Sequence, residues 1–295
     1  MSSKKRKLII ILAIPVFILT GFCFWRSSNN KPDTKPNLII PVNYNQELFL
    51  RAVSYFPKSQ EINATKISGL IAPHHDIASL YTAELFQKVG RKDIKRVIII
   101  GPNHENKGAG DIISGNFSYR YLGEEISFDK VLINRMLKDK IAVLDNERLN
   151  TEHSISALVP FVNYYFADAK IVPLILSSRV SLEQAVKLGE YLAPYLDEET
   201  IIIASIDFSH YLSTEKANNN DSITREALLD HNYNKLFSLN SDYLDSPAAL
   251  VTVLSAVNKN EVSQVEIVRQ ANLAEAIGAG SVINSTSYFT ALLHH

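Results

Sequence analysis

From residue 38 onward, short runs of Ile, Val and Leu alternate with amphipathic stretches of helical length. Apolar runs of about four to eight residues mark strands buried on both faces, and their alternation with helices marks an α/β sheet covered on both sides. The pattern predicts strands over Ile67–Pro73, Arg96–Gly101, Asp111–Ser114, Ile171–Leu176, Ile201–Ile206, Val265–Arg269 and Ser287–Leu292. Helices are expected over Ala78–Val89, Phe128–Lys138, Ser154–Phe166, Ser181–Leu196, Asp221–Leu236 and Ser246–Val257. Ser79, Ser154, Ser181 and Asp221 stand where an N-capping side chain precedes apolar periodicity. No repeat and no Pro/Gly/Ser-rich divider interrupts residues 38–295, so one α/β domain with a mostly parallel central sheet flanked by helices is expected.

The amino terminus has a different pattern. A basic stub over residues 1–7 precedes an uncharged apolar run, Leu8–Trp25, which at about 1.5 Å per residue just matches a hydrocarbon core. Residues 26–37 are polar, with two prolines, and read as a linker. The expectation is a transmembrane signal anchor, single-pass, that leaves the C-terminal domain extracytoplasmic because the basic stub stays inside. A cleaved signal peptide is the alternative, against which stand the bulky Phe22, Phe24 and Trp25 where a small-residue cleavage site belongs.

Composition narrows the chemistry. The chain has 295 residues, 46% hydrophobic and 21% charged, enough for a sizeable core. Its one cysteine, Cys23, lies in the apolar run, so thiolate metal sites are excluded and any metal must rest on His, Asp or Glu. Lys4, Lys5, Arg6, Lys7, Arg26, Lys31 and Lys35 against Asp33 leave the first 36 residues at +6, and the overall −1 then puts the remainder at −7. An acidic domain repels phosphate backbones, which excludes nucleic acid as the expected partner. There is no GxSxG elbow for a serine hydrolase and no phosphate loop of GxGxxG or GxxxxGKS type.

Polar residues cluster where ligands bind in open α/β sheets, beyond the carboxyl ends of strands. One predicted strand runs into Pro73-His74-His75-Asp76, another into Gly101-Pro102-Asn103-His104, a third into Asp207-Phe208-Ser209-His210, while His153 opens a helix. Imidazole is a common metal ligand, and imidazoles from these segments can converge on one rim. His74 and His75 point to opposite sides of an extended segment, so they do not share an ion. Asp76 either orients His74 or serves as a local turn acceptor. Asp207 and His210, three apart in a turn, are spaced to hydrogen-bond as an acid/base pair, or to hold the loop. His231, His294 and His295 are expected at the surface.

With APHHD (Ala72 to Asp76), GPNH (Gly101 to His104), TEHS (Thr151 to Ser154) and SIDFSHY (Ser205 to Tyr211) in this order, the chain resembles the Memo family, including AmmeMemoRadiSam system protein B. The resemblance implies an α/β fold like that of class III extradiol dioxygenases, with a metal-site pocket. It makes His74 and His104 metal ligands and places His153, Asp207 and His210 in the same pocket as catalytic residues. The family's third ligand is a cysteine, which this chain lacks. Asp245, or less securely Ser246, falls at that position, and the implied set becomes His74, His104 and Asp245. Asp245 is alternatively an N-cap for the following helix, with Pro247 in its first turn. The expectation is Fe(II), with zinc or copper as alternatives, in a dioxygenase-like oxidoreductase acting on an unknown small molecule or peptide. A non-catalytic binding module and a metal-dependent hydrolase are the competing readings. The family name implies a radical SAM partner, which an extracytoplasmic domain would not meet.

Overall fold

The computed structural model describes residues 38–39, 45–58, 66–90, 93–121 and 124–295. Strands β1 (Leu38–Ile39), β2 (Ile67–Ala72), β3 (Arg96–Pro102), β4 (Ile112–Ser114), β5 (Ser118–Tyr121), β6 (Glu124–Ile126), β7 (Val143–Leu144), β8 (Lys170–Leu176), β9 (Thr200–Ser205), β10 (Gln264–Asn272) and β11 (Ser287–His294) alternate with helices. The helices are α1 (Gln46–Tyr55), α2 (Ser79–Val89), α3 (Lys130–Lys138), α4 (Asn146–Thr151), α5 (His153–Ser156), α6 (Val159–Tyr165), α7 (Leu182–Leu192), α8 (Thr214–Leu229), α9 (Tyr233–Ser238), α10 (Pro247–Val257) and α11 (Leu273–Ala276).

Eight strands form one sheet in the order β10-β11-β2-β9-β3-β8-β4-β7, beside a small ladder of β1, β5 and β6. Every residue of β2 and β9 is buried, as their mainly apolar sequences, ISGLIA and TIIIAS, require of central strands covered on both faces. These two pair in parallel with each other, β9 pairs in parallel with β3, and β3 with β8. Toward both edges the direction reverses: β11 is antiparallel to β2, β10 to β11, and β4 to β8. The sheet is therefore mixed, which corrects the expected mostly parallel one. A parallel return needs a long crossover, and neither residues 103–111 nor residues 273–286 with their single-turn α11 provide one.

Among the described residues no helix is long and apolar enough to cross a membrane. The expected span Leu8–Trp25 and linker 26–37 lie outside those residues. The anticipated architecture is corrected accordingly to an α/β domain on a mixed sheet. The single-pass placement with an extracytoplasmic domain is corrected with it, since no described helix supplies the span it needs.

Local chemistry explains the other departures. The expected helix over residues 154–166 is split into α5 and α6, because Pro160 has no N–H to continue the ladder. The expected helix over 221–236 begins earlier, where the Ser213 hydroxyl accepts from the Lys216 amide, and ends before His231, which takes a left-handed φ of 49°. Asp221, expected as a cap, lies buried in mid-helix, where it accepts hydrogen bonds from Ser209 and Ser287 at 2.7 Å each. Ser181 does cap α7, in a reciprocal box with Gln184. Ser79 and Ser154 are within their helices instead, and Glu152 caps α5.

Candidate metal centre

Three neighbouring parallel strands, β2, β9 and β3, end on the same rim and run into Pro73-His74, Ile206-Asp207 and Asn103-His104. Ala72 pairs with Ser205, so the residues just beyond them also lie side by side: the His74 amide donates to Asp207 Oδ1 at 3.1 Å. Asp245 enters from the loop before α10, fixed to the same turn by two bonds. Its amide donates to the Asp207 carbonyl at 3.1 Å, and its Oδ2 accepts from the Asp207 amide at 3.1 Å. The cap of α10 is Ser246, whose hydroxyl accepts from the Ala249 amide. Asp245 is thereby left free to face the rim.

The rings of His74, His104 and His153 gather at this point. His74 and His104 lie 5.1 Å apart between centroids at 84°, and His153 stacks on His104 at 4.3 Å and 14°. One ring nitrogen from each of the three falls within 4.8 Å of the others, and the same holds for one donor atom each of His74, Asp207 and Asp245. His74 Nε2 is 3.2 Å from Asp245 Oδ2 and 3.7 Å from Asp207 Oδ2, and His104 Nε2 is 3.9 Å from Asp245 Oδ2. Donors sharing a cation at about 2.1 Å are separated by roughly 3.0–3.4 Å, so small side-chain rotations suffice to close this set.

Two side chains fix which nitrogen of each ring faces the cleft. The Ser205 hydroxyl donates to the Ser154 carbonyl, which leaves its oxygen to accept from His74 Nδ1–H at 3.3 Å. That turns Nε2 of His74 toward the carboxylates. His104 Nδ1 donates to Glu152 Oε1 at 2.8 Å, which leaves its Nε2 in the cleft. A ligating imidazole anchored by its other nitrogen is the usual arrangement at metal centres. Gly101 lets these parts meet: a Cβ there would stand 2.7 Å from Ser154 Oγ and 3.2 Å from the Ser205 carbonyl, so β3 can approach α5 only without a side chain.

Electrostatics separates the rings. Burial by itself lowers the His74 pKa, but Asp207, Asp245 and Glu152 outweigh it and hold the ring up to about 9. His153 is pushed down to about 4 by burial and by repulsion from His74 and His104, so it is neutral at physiological pH. Glu152 is fully buried, which would raise its pKa, yet the bonds from His104 and Ser154 hold it well below the ordinary carboxylate range. Asp245 Oδ1 is buried with no hydrogen-bond partner among the described residues. A carboxylate oxygen left bare beside two oriented imidazoles fits a cation, because such a group is costly to bury unless something positive meets it. The residues present thus suit a divalent metal.

Of the residues singled out by sequence, His74, His104, His153, Asp207, His210 and Asp245 all line one cleft of about 750 Å³, and all of these but His210 fall in the donor groups. No hydrogen bond joins Asp207 to His210, whose buried Nδ1 has no partner among the described residues; Asp207 serves His74 instead. His75 also lines the cleft but stands outside the donor cluster, with Nδ1 3.7 Å from Asp76 and 3.5 Å from the Tyr288 hydroxyl, so Asp76 pairs with His75 rather than orienting His74. The sequence by itself assigns no part in the site to Glu152, Ser205 or Arg148. Only the position of Glu152 at a helix start, where a carboxylate caps backbone amides, offered a signal.

A family model described as "Memo-like protein" matches residues 43–278. A MEMO1 family protein of Methanocaldococcus jannaschii is 29% identical over 196 residues, covering 61% of this chain and 68% of that protein. Another, from Methanosarcina mazei, is 28% identical over 230 residues, covering 74% and 83%. The solved structure of an uncharacterized protein from Escherichia coli K12 matches 75% of this chain and 99% of its own at 16% identity and a TM-score of 0.46, a likeness too low to carry an argument.

Proposed function

We propose, from the premise that this chain belongs to the Memo-like protein family, that it holds one divalent transition-metal ion on His74, His104 and Asp245 and works as a non-haem oxidoreductase. The observation that carries this reading is the bare, buried Asp245 Oδ1 beside two imidazoles whose Nε2 atoms are aimed into the cleft by Ser205 and Glu152. Two imidazoles with one carboxylate are the donors associated with Fe(II) oxygenases, and zinc or copper are the alternatives. When bound, Fe(II) would supply oxygen activation and polarise a substrate oxygen.

The chain's own residues do the rest. His153, neutral and stacked on His104, offers an unprotonated nitrogen that can accept a proton from a substrate hydroxyl. Asp207 holds the His74 backbone in place through its amide. His210 lines the same cleft beside these groups. The substrate on this reading is a small molecule or a peptide side chain that fits about 750 Å³.

Metal analysis of the full chain purified without oxygen tests the reading. The expected result is about one iron per chain together with oxygen uptake on re-aeration, both lost in His104→Ala. Zinc without oxygen uptake would move the reading to metal-assisted hydrolysis, and a chain that takes up no metal would leave only ligand recognition.

A further inference from the structure

We infer that Arg148 is a positioning residue for the His104 ligand, its guanidinium tying both chain neighbours of His104 to the carboxylate that orients the ring. The inference rests on the metal reading above. Arg148 Nε donates to Asn103 Oδ1 at 2.8 Å, Nη1 to Glu105 Oε2 at 2.9 Å, and Nη2 to Glu152 Oε2 at 2.8 Å. Asn103 and Glu105 bracket His104 in sequence, and the carboxylate of Glu152 accepts from both the amide and Nδ1 of His104. One planar group therefore sets the loop on each side of the ligand and the partner behind it.

Arg148 is itself held firmly. It is buried on α4, and the cap of that helix, Asp145, accepts from its amide at 2.9 Å. Asn103 passes the constraint on, because its Nδ2 donates to the Lys107 carbonyl at 2.6 Å and closes the loop that carries His104. The fork of a guanidinium fixes the angles among its acceptors, which a lysine ammonium cannot do. Arg148 is not among the residues lining the cleft, so it acts on a bound ion through the side chains it holds around His104, namely Asn103, Glu105 and Glu152.

Titration of the full chain with Cu(II), which such donor sets bind most tightly among divalent first-row ions, tests this. Arg148→Met is expected to weaken Cu(II) binding about 10–100-fold, the range for partners behind a ligand. In the His104→Ala background the same substitution is expected to change affinity by less than about threefold, since the two act as one unit. Equal losses in both backgrounds would show that Arg148 acts on the fold at large and overturn the inference, as would no loss in the wild-type background. Wild-type protein that binds no Cu(II) would instead bring down the metal reading and the inference with it. Should Arg148→Met not fold, Glu105→Ala removes the acceptor on one flank while keeping the Arg148–Glu152 pair. It is expected to cost about three- to tenfold in affinity, and an unchanged affinity would overturn the inference.

Discussion

Glu152→Ala is expected to cost about 3–5 kcal/mol of folding stability, the range for breaking a buried ion pair from one side. Glu152 is 0% exposed and receives five donors: the His104 amide and Arg148 Nη2 on Oε2, and His104 Nδ1 and the His153 and Ser154 amides on Oε1. Alanine leaves Glu105 as the one carboxylate on the buried Arg148 guanidinium, 7% exposed, and removes the cap of α5 in the same stroke. Against a typical total of about 5–15 kcal/mol, such a loss leaves little margin. Glu152→Gln keeps the shape but must turn an NH₂ toward one of those donors, so an intermediate loss is expected. Urea denaturation of the three proteins measures this. An alanine variant within about 1 kcal/mol of wild type would mean that the network does not depend on its carboxylate.

Asp245→Ala is expected to weaken binding of Fe(II) or zinc by at least about a hundredfold, beyond the 10–100-fold typical of groups behind the ligands. Ser246 still caps α10 in this variant, so the fold is expected to persist while the Asp207 amide loses its acceptor. The pH dependence has a definite sign. Because carboxylates hold His74 up to about 9, its ring is protonated below that pH, and an ion binding Nε2 has to displace the proton. Wild-type affinity should therefore climb by about tenfold per pH unit between roughly pH 6 and 8 and level off above about 9. Asp245→Asn removes one of the carboxylates that raise His74, so its curve should flatten at lower pH. Competition titrations across that window read both effects, and a flat wild-type curve would take His74 out of the ligand set.

The central strands were legible because burial on both faces forces an uninterrupted apolar sequence, as in Ile201–Ile203. Less was readable where context decides. Ser118–Tyr121 and Glu124–Ile126 carry too little apolar signal to announce a strand, and the polar stretch over residues 214–220 reads as a loop until Ser213 is seen to cap it. In the site, His74 and His104 were visible because each follows a strand that the sheet must end at one rim. Asp245 was legible only through the family resemblance, since its spacing suits a helix cap equally well, and Ser246 took that part. Glu152 and Arg148 act on His104 across 48 and 44 positions of sequence respectively, a relation that no local pattern encodes. The Asp207–His210 pair failed for the opposite reason: spacing permitted it, but the parallel register of β2 and β9 gave Asp207 to His74.

One cation is expected among His74, His104 and Asp245. Anomalous diffraction from crystals of the protein loaded with Fe(II) or zinc reads it directly. A single peak is expected within about 2.0–2.2 Å of His74 Nε2, His104 Nε2 and an Asp245 oxygen. A peak held by other side chains, or crystals that bind no ion while Asp245 Oδ1 finds another partner, would contradict it.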